Sequence, residues 1–218
     1  MENDALEKIV FFDLETAGGD MTQPITQIAA IAVDSSLCEL ESYEVKILFN
    51  EDDADPAALY RNHYDPDVWN GEAVDKKTAA YGFKKFLQRH ATYDMVSREG
   101  NPYQIAQLVA HNGELFDGPF IHEWYRQLGF RCPARYLVLC TKQRAMWMFQ
   151  EDRALTPPAD YKLGTLCEYF GIQLRPEEAH DALADVRATL NLYRAMTEHQ
   201  RASSVYQANG HLTWVRAN

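Results

Sequence analysis

No stretch of about 18 consecutive apolar residues occurs, so nothing in the sequence reads as a membrane-spanning helix. The opening MENDALEKIV is acidic and lacks the charged-then-apolar pattern of a secretory leader, which makes a cytoplasmic protein the expectation. The four cysteines, Cys38, Cys132, Cys140 and Cys167, form no C-x-x-C pair that could organise zinc. Their simplest role is that of reduced thiols buried as small hydrophobes. The seven histidines contain no H-E-x-x-H pattern, so any metal should be held by carboxylates. Basic residues are also scarce, 21 Lys and Arg against 32 Asp and Glu, for a net charge of -11. Neutralising phosphates supplies most non-specific affinity for nucleic acid. Such a chain should hold a long polyanion poorly unless divalent ions or a local basic patch intervene. Chemistry at the end of a strand is not excluded.

What is present is a globular composition, 46% hydrophobic and 24% charged over 218 residues, enough to bury a substantial core. The expected organisation is one domain over residues 1–200. Residues 201–218 would form a C-terminal tail, docking a partner or disordered. Apolar and alternating runs predict strands at Ile9–Phe12, Ile25–Val33 and Tyr43–Phe49. Residues 50–71 are acidic and interrupted by Pro56 and Pro66, and residues 72–90 carry a helical apolar pattern. Thr92–Pro102 reads as a loop, Ile105–Ala110 as a buried strand, Phe116–Leu128 as a helix and Tyr136–Cys140 as a last short strand. Helices are expected near Thr141–Phe149, Leu163–Phe170 and Ala179–His199. Strands first in a meander, then alternating with helices, predict an α/β fold with a mixed sheet flanked by helices.

Acidic residues recur where apolar segments end. Asp13 and Glu15 stand two apart on the first strand and so project from one face. Two carboxylates there repel each other unless they are exposed or share a cation. Asp117 falls in the first turn of a helix, where an acid is favoured by the helix dipole alone. Asp185 lies deeper in a helix among Ala182, Leu183, Ala184 and Val186, a less usual place for an acid, with His180 at the helix entrance.

Taken together, these segments resemble the motif set of the DEDDh 3′-5′ exonucleases, the superfamily of polymerase proofreading subunits, oligoribonuclease and RNase T. Asp13, Glu15 and Thr16 match its D-x-E-[ST] motif; His111, Asn112, Phe116 and Asp117 resemble its second motif; His180, Ala182 and Asp185 match H-x-A-x-x-D. The resemblance covers roughly Lys8 to Arg194, in the family's order. It departs in the three residues Gly113, Glu114 and Leu115 that separate His-Asn from Phe-Asp, where two are usual. It departs also in Cys140-Thr141, where Asp-Thr is common, and in a segment from Thr92 to Gln104 longer than the compact family core.

The resemblance implies a ribonuclease H-like fold and metal-dependent removal of nucleoside 5′-monophosphates from DNA or RNA 3′ ends. Hard divalent ions such as Mg²⁺ or Mn²⁺, two per site, would be held by the oxygens of Asp13, Glu15, Asp117 and Asp185. His180 would be the general base, with an unperturbed pKa near 6.5 suited to neutral pH. Thr16, Ala17 and Asn112 would contact substrate, Gly18 and Gly19 would admit a strand end, and Phe116 and Phe120 are aromatic enough to stack on bases or to pack in the core. Single-stranded ends are the expected partner, and a homodimer or a subunit of a polymerase or anti-phage assembly the expected context. The rival readings are a catalytically silent nucleic-acid- or protein-binding module and an unrelated metal-dependent phosphatase for small nucleotides.

Overall fold

The computed structural model describes residues 7–174 and 181–209, with side chains of the last helix described through Ala202. A meander comes first: β1 (Ile9–Thr16), β2 (Ile25–Val33) and β3 (Glu39–Lys46), antiparallel throughout. Three helices follow, α1 (Pro56–Arg61), α2 (Pro66–Glu72) and α3 (Lys76–Arg89). A hairpin of β4 (Tyr93–Val96) and β5 (Pro102–Ile105) leads into β6 (Gln107–Ala110) and α4 (Asp117–Gln127). The last described elements are β7 (Leu139–Cys140), α5 (Thr141–Glu151), α6 (Leu163–Tyr169) and α7 (Ala182–Asn209).

The main sheet has the order β3-β2-β1-β6-β7, with β6 parallel to both β1 and β7. It is the mixed, helix-flanked sheet of the ribonuclease H-like fold. The period of two along β1 divides its side chains between two cores. Val10, Phe12 and Leu14 pack with α3 and α4 residues such as Phe83, Phe86, Phe120 and Ile121. Phe11 faces the other way, with Val109 of β6 and Ala182, Val186 and Leu190 of α7. Asp13 and Glu15 continue that second face, which is why they point toward α7. A third cluster joins α5 and α6 to Leu192 and Met196 of α7.

Several boundaries differ from the expectation. β3 starts at Glu39 and ends at Lys46 instead of running from Tyr43 to Phe49. It is an edge strand with a largely polar, exposed first half, so the apolar stretch after Tyr43 misplaces it. Pro56 and Pro66 start α1 and α2 as first-turn residues, capped by the Asp55 and Asp65 side chains, so the prolines initiate helices here. The segment read as a loop is the β4–β5 hairpin, closed by a turn with Gly100 at φ 84°. Its strands are too short to show a period.

The last helix continues past residue 200 to Asn209. Of the cysteines, Cys132 and Cys167 are buried, but Cys38 is exposed and Cys140 intermediate. Among the described residues, no helix is long and apolar enough to cross a membrane.

Candidate active site

The C-terminal ends of β1 and β6 open into a cavity of about 220 Å³ lined by Asp13, Glu15, Asp117 and Asp185, with Arg61 and Asn112 among its other walls. Three elements deliver the acids. β1 supplies Asp13 and Glu15 from one face, α4 presents Asp117 from its first residue, and α7 adds Asp185 from its first turn. One oxygen from each of Asp13, Glu15 and Asp185 lies within 4.8 Å of the others. Asp117 is aimed by a backbone contact, because Leu14 N–H donates to its Oδ1 at 3.2 Å and ties α4 to the middle of the acidic strand.

Burial and mutual repulsion dominate the electrostatics. Desolvation first, then the charges of Asp117, Glu15 and Asp185, hold the Asp13 carboxyl well above the usual carboxylate range. Desolvation, then Asp185 and Asp117, raise Glu15 to about 9, with Arg61 as the opposing charge. Desolvation raises Asp117 to about 7, against the hydrogen bond from Leu14 N–H. Carboxylates crowded this closely are stable in ionised form only with a cation between them. Their donor set is all oxygen, which suits hard divalent ions, so these residues fit the expected metal.

Asp181, beside this group, caps α7 by accepting from Ala184 N–H at 3.0 Å. His180 lies outside the described residues.

His111 lines the cavity but is committed to structure. Its Nδ1 lies 3.0 Å from Thr141 Oγ1 and its Nε2 lies 3.0 Å from the Tyr161 carbonyl. A carbonyl only accepts, so Nε2 carries the proton and Nδ1 accepts from the threonine hydroxyl. Burial pushes the ring down to about 4, so it stays neutral and is a poor proton acceptor at neutral pH. Thr141, the partner at the Cys140-Thr141 departure, is thereby given a structural reason.

Asn112 adopts φ 65°, a left-handed conformation that Asn tolerates better than most residues. Its carbonyl accepts from Leu115 and Phe116 N–H, which turns the chain from β6 toward α4, and Lys142 Nζ donates to its Oδ1 at 3.3 Å.

Of the other expected substrate contacts, Thr16 lines the cavity, its hydroxyl donating to Gly18 O at 2.6 Å. Ala17 is fully buried and is not part of the cavity wall. Its N–H donates to Pro24 O and its carbonyl accepts from Asp55 N–H, each at 2.7 Å. Gly18 and Gly19 both border the opening. Phe116 reaches the cavity, whereas Phe120 is in the core with its ring 4.7 Å from that of Phe116.

The sequence reading missed Arg61 and Asn62. Both sit at the end of α1, in the stretch set aside as acidic and proline-interrupted. Asn62 is buried and its Nδ2 donates to Thr16 O at 3.0 Å, fixing the end of β1. Arg61 is exposed and is the sole Lys or Arg among the described cavity-lining residues. The Asp55-Pro56 capping signal could have announced the helix, but not which residue of it reaches the acids.

The exonuclease family RNase_T matches residues 10–193. Among solved structures, E. coli exonuclease I in complex with a dT13 oligonucleotide superposes with a TM-score of 0.71 at 18% identity, over 92% of this chain and 43% of that one. The same enzyme with a dA16 oligonucleotide gives 0.71 at 19% identity, over 92% and 42%. The exonuclease I complex with SSB-Ct gives 0.68 at 17%, over 92% and 43%. The chain thus spans less than half the length of those proteins, and at this identity the likeness is one of fold. No curated protein sequence matches significantly.

Proposed function

This chain belongs to the RNase_T exonuclease family, and from that premise we propose that it hydrolyses the terminal phosphodiester at the 3′ end of single-stranded DNA or RNA, releasing nucleoside 5′-monophosphates. The observation that carries the reading is the meeting of Asp13, Glu15 and Asp185 oxygens within 4.8 Å, beside Asp117. A silent binding module gains nothing from such crowding, because each buried charge raises the cost of the next.

In this reading the oxygens of Asp13, Glu15, Asp117 and Asp185 would together hold two divalent ions, Mg²⁺ or Mn²⁺. Ions so held would neutralise the phosphate, activate a water and stabilise the departing 3′-oxygen. The chain's own groups do the rest. Leu14 N–H keeps Asp117 oriented toward the acids.

His180 takes the proton of the attacking water; the neutral, doubly bonded His111 leaves that role open. Arg61, facing Glu15 across the cavity, holds a phosphate oxygen of the terminal nucleotide. Thr16 and Asn112 line the sugar and base of that nucleotide, and the Gly18-Gly19 turn lets it approach.

We take residues 1–200 as the catalytic unit with 201–218 as its appendage, acting in the cytoplasm. The assembly is a homodimer or the nuclease subunit of a larger machine, states that gel filtration separates. Replacing Asp13, Glu15, Asp117 or Asp185 with alanine should nearly abolish release of nucleoside monophosphate from a labelled oligonucleotide. His180→Ala should slow release by about 10²–10⁴-fold, the usual worth of a general base. A folded Asp13→Ala protein with undiminished cleavage contradicts the assignment.

A further inference from the structure

A second cavity, of about 540 Å³, opens between the β4–β5 hairpin and the segment leading into β7. Its walls include Tyr93, His122, Arg131, Arg135, Tyr136 and Leu137, and no carboxylate is among its described lining residues. In a chain of net charge -11 this is an uncommon concentration of arginine without acid. Tyr136 and Leu137 are 71% and 62% exposed, far more than apolar burial alone would leave beside a cavity.

The groups are fixed in place. The Arg135 guanidinium lies 4.0 Å from the Tyr93 ring centroid, and its Nη1 donates to Gln107 Oε1 at 2.9 Å. The Tyr136 ring sits 5.0 Å from that of His122, whose Nε2 lies 3.1 Å from the Arg135 carbonyl. Arg131 lies over Tyr103 of the hairpin at 5.9 Å. Flat rings held next to fixed guanidiniums suit one ligand chemistry, alternating bases and phosphates.

The cavity is also coupled to the acidic site. Val138, next to Leu137, sits so close to Gly113 and Gly118 that a Cβ on either would lie 3.0 or 2.9 Å from its methyls. The segment that borders the second cavity is therefore packed, through Val138, against the loop that presents Asp117. Ala106 pairs with Ala134 beside the second cavity and Ala110 pairs with Cys140 at the acidic end, so the two sites lie at opposite ends of a strand spanning about 13 Å, the reach of about four stacked nucleotides at ~3.4 Å each.

We propose that this cavity binds the single strand upstream of the 3′ end, with Tyr136 as a base platform and Arg131 and Arg135 on phosphates. The proposal rests on the nucleic-acid reading of the acidic site, and it gives the β4–β5 hairpin a function.

The test uses the full chain and the variants Arg131→Glu, Tyr136→Ala and Arg135→Ala. The first two alter exposed side chains and so keep the test open if Arg135→Ala fails to fold. Binding of a 5′-fluorescent 16-mer, DNA and RNA in parallel, is read by anisotropy in Ca²⁺. Each variant should weaken binding about tenfold, the scale of one lost stacked base or phosphate contact. Arg131→Glu should also flatten the log–log salt dependence by at least ~0.7, the share of one phosphate. In Mg²⁺, the ratio of kcat/KM on the 16-mer to that on a dinucleotide should fall by a similar factor.

Wild-type affinity in all three variants overturns the proposal. So does an equal loss on 16-mer and dinucleotide. If the wild type binds the 16-mer through these residues yet cleaves nothing, the cavity stands and the exonuclease reading fails. If all variants bind the 16-mer normally but lose affinity for an acidic peptide, the occupant is protein and the proposal is wrong.

Discussion

The acids of the cavity are where single residues control both chemistry and stability. Burial and repulsion place Asp13, Glu15 and Asp117 above their ordinary values, Glu15 at about 9 and Asp117 at about 7. In the unfolded chain the same groups lose their protons near pH 4. Between those limits the folded, metal-free protein binds more protons than the unfolded one. The contribution of these groups to stability therefore falls as pH rises from about 4 through about 9.

Thermal melts in EDTA should show a lower Tm at pH 9 than at pH 6. Glu15→Gln should raise the Tm at pH 8 and flatten that slope while abolishing cleavage. Mg²⁺ should stabilise the wild type most at high pH, where the carboxylates are ionised. A metal-free Tm that rises with pH and is lowered by Glu15→Gln would count against clustered charge as the source.

Arg61 makes the complementary case, the one Lys or Arg among the described residues that line the acidic cavity. Arg61→Ala should raise KM for an oligonucleotide about tenfold, with a smaller change in kcat, as expected for a lost charge-assisted contact to phosphate. Steady-state kinetics on one labelled oligonucleotide checks this; an unchanged KM removes Arg61 from the substrate path.

The contrast between Arg61 and Asp13 marks what a sequence discloses. Asp13 and Glu15 were legible because strand periodicity alone puts both on one face, and because their motif carries its own chemistry. Asp117 and Asp185 were legible only together with them, as the later members of a motif set, because an acid near a helix start has an ordinary structural reason by itself. Arg61 reaches the site only through the path of residues 50–62 across the end of β1, and no local pattern encodes such a path. Ala17 is the opposite case: it stands beside the motif in sequence, yet it is buried behind the cavity wall with its N–H on Pro24 O and its carbonyl on Asp55 N–H.

At the scale of elements, the site depends on how β1 ends and how α4 begins. Asn62 holds Thr16 O, and the β1–β2 register slips between Glu15 and Thr16, an irregularity that lets the strand bend at its acidic end. On the other side, Gly118 has no room for a side chain: a Cβ would lie 2.8 Å from Gly113 O and 2.9 Å from Val138 Cγ2. Gly118→Ala should therefore destabilise the protein by about 1–3 kcal/mol, the usual cost of overpacking. It should reduce cleavage beyond what lost stability explains, because Asp117 is the adjacent residue. Denaturant titration beside an activity assay separates the two effects; wild-type values in both would show that the α4 entrance tolerates displacement.

These close fits, like the hairpin of β4 and β5, were not legible beforehand. They arise from packing between segments far apart in the chain. The central strands β1, β2 and β6 were legible because burial on both faces leaves long apolar runs. The edge strands β3 and β7, half exposed and partly polar, carry weaker patterns and were displaced or shortened.

For the whole molecule the governing fact is an acidic protein in a family that acts on polyanions. With a net charge of -11, long-range attraction cannot gather the substrate. Affinity must come from divalent ions in the acidic cavity, from Arg61 and from local contacts elsewhere on the surface. The shared fold with exonuclease I covers under half of that protein, so any contacts its remaining length makes have no counterpart in the matched region.

The measurement that bears most directly on this account is a time course on 5′-labelled single-stranded DNA and RNA with Mg²⁺, Mn²⁺ or EDTA, comparing wild type with Asp185→Ala. The account predicts a ladder shortening from the 3′ end that requires the metal and disappears in the variant. Intact oligonucleotides in every lane with folded wild-type protein, or a ladder that survives in Asp185→Ala, would contradict it.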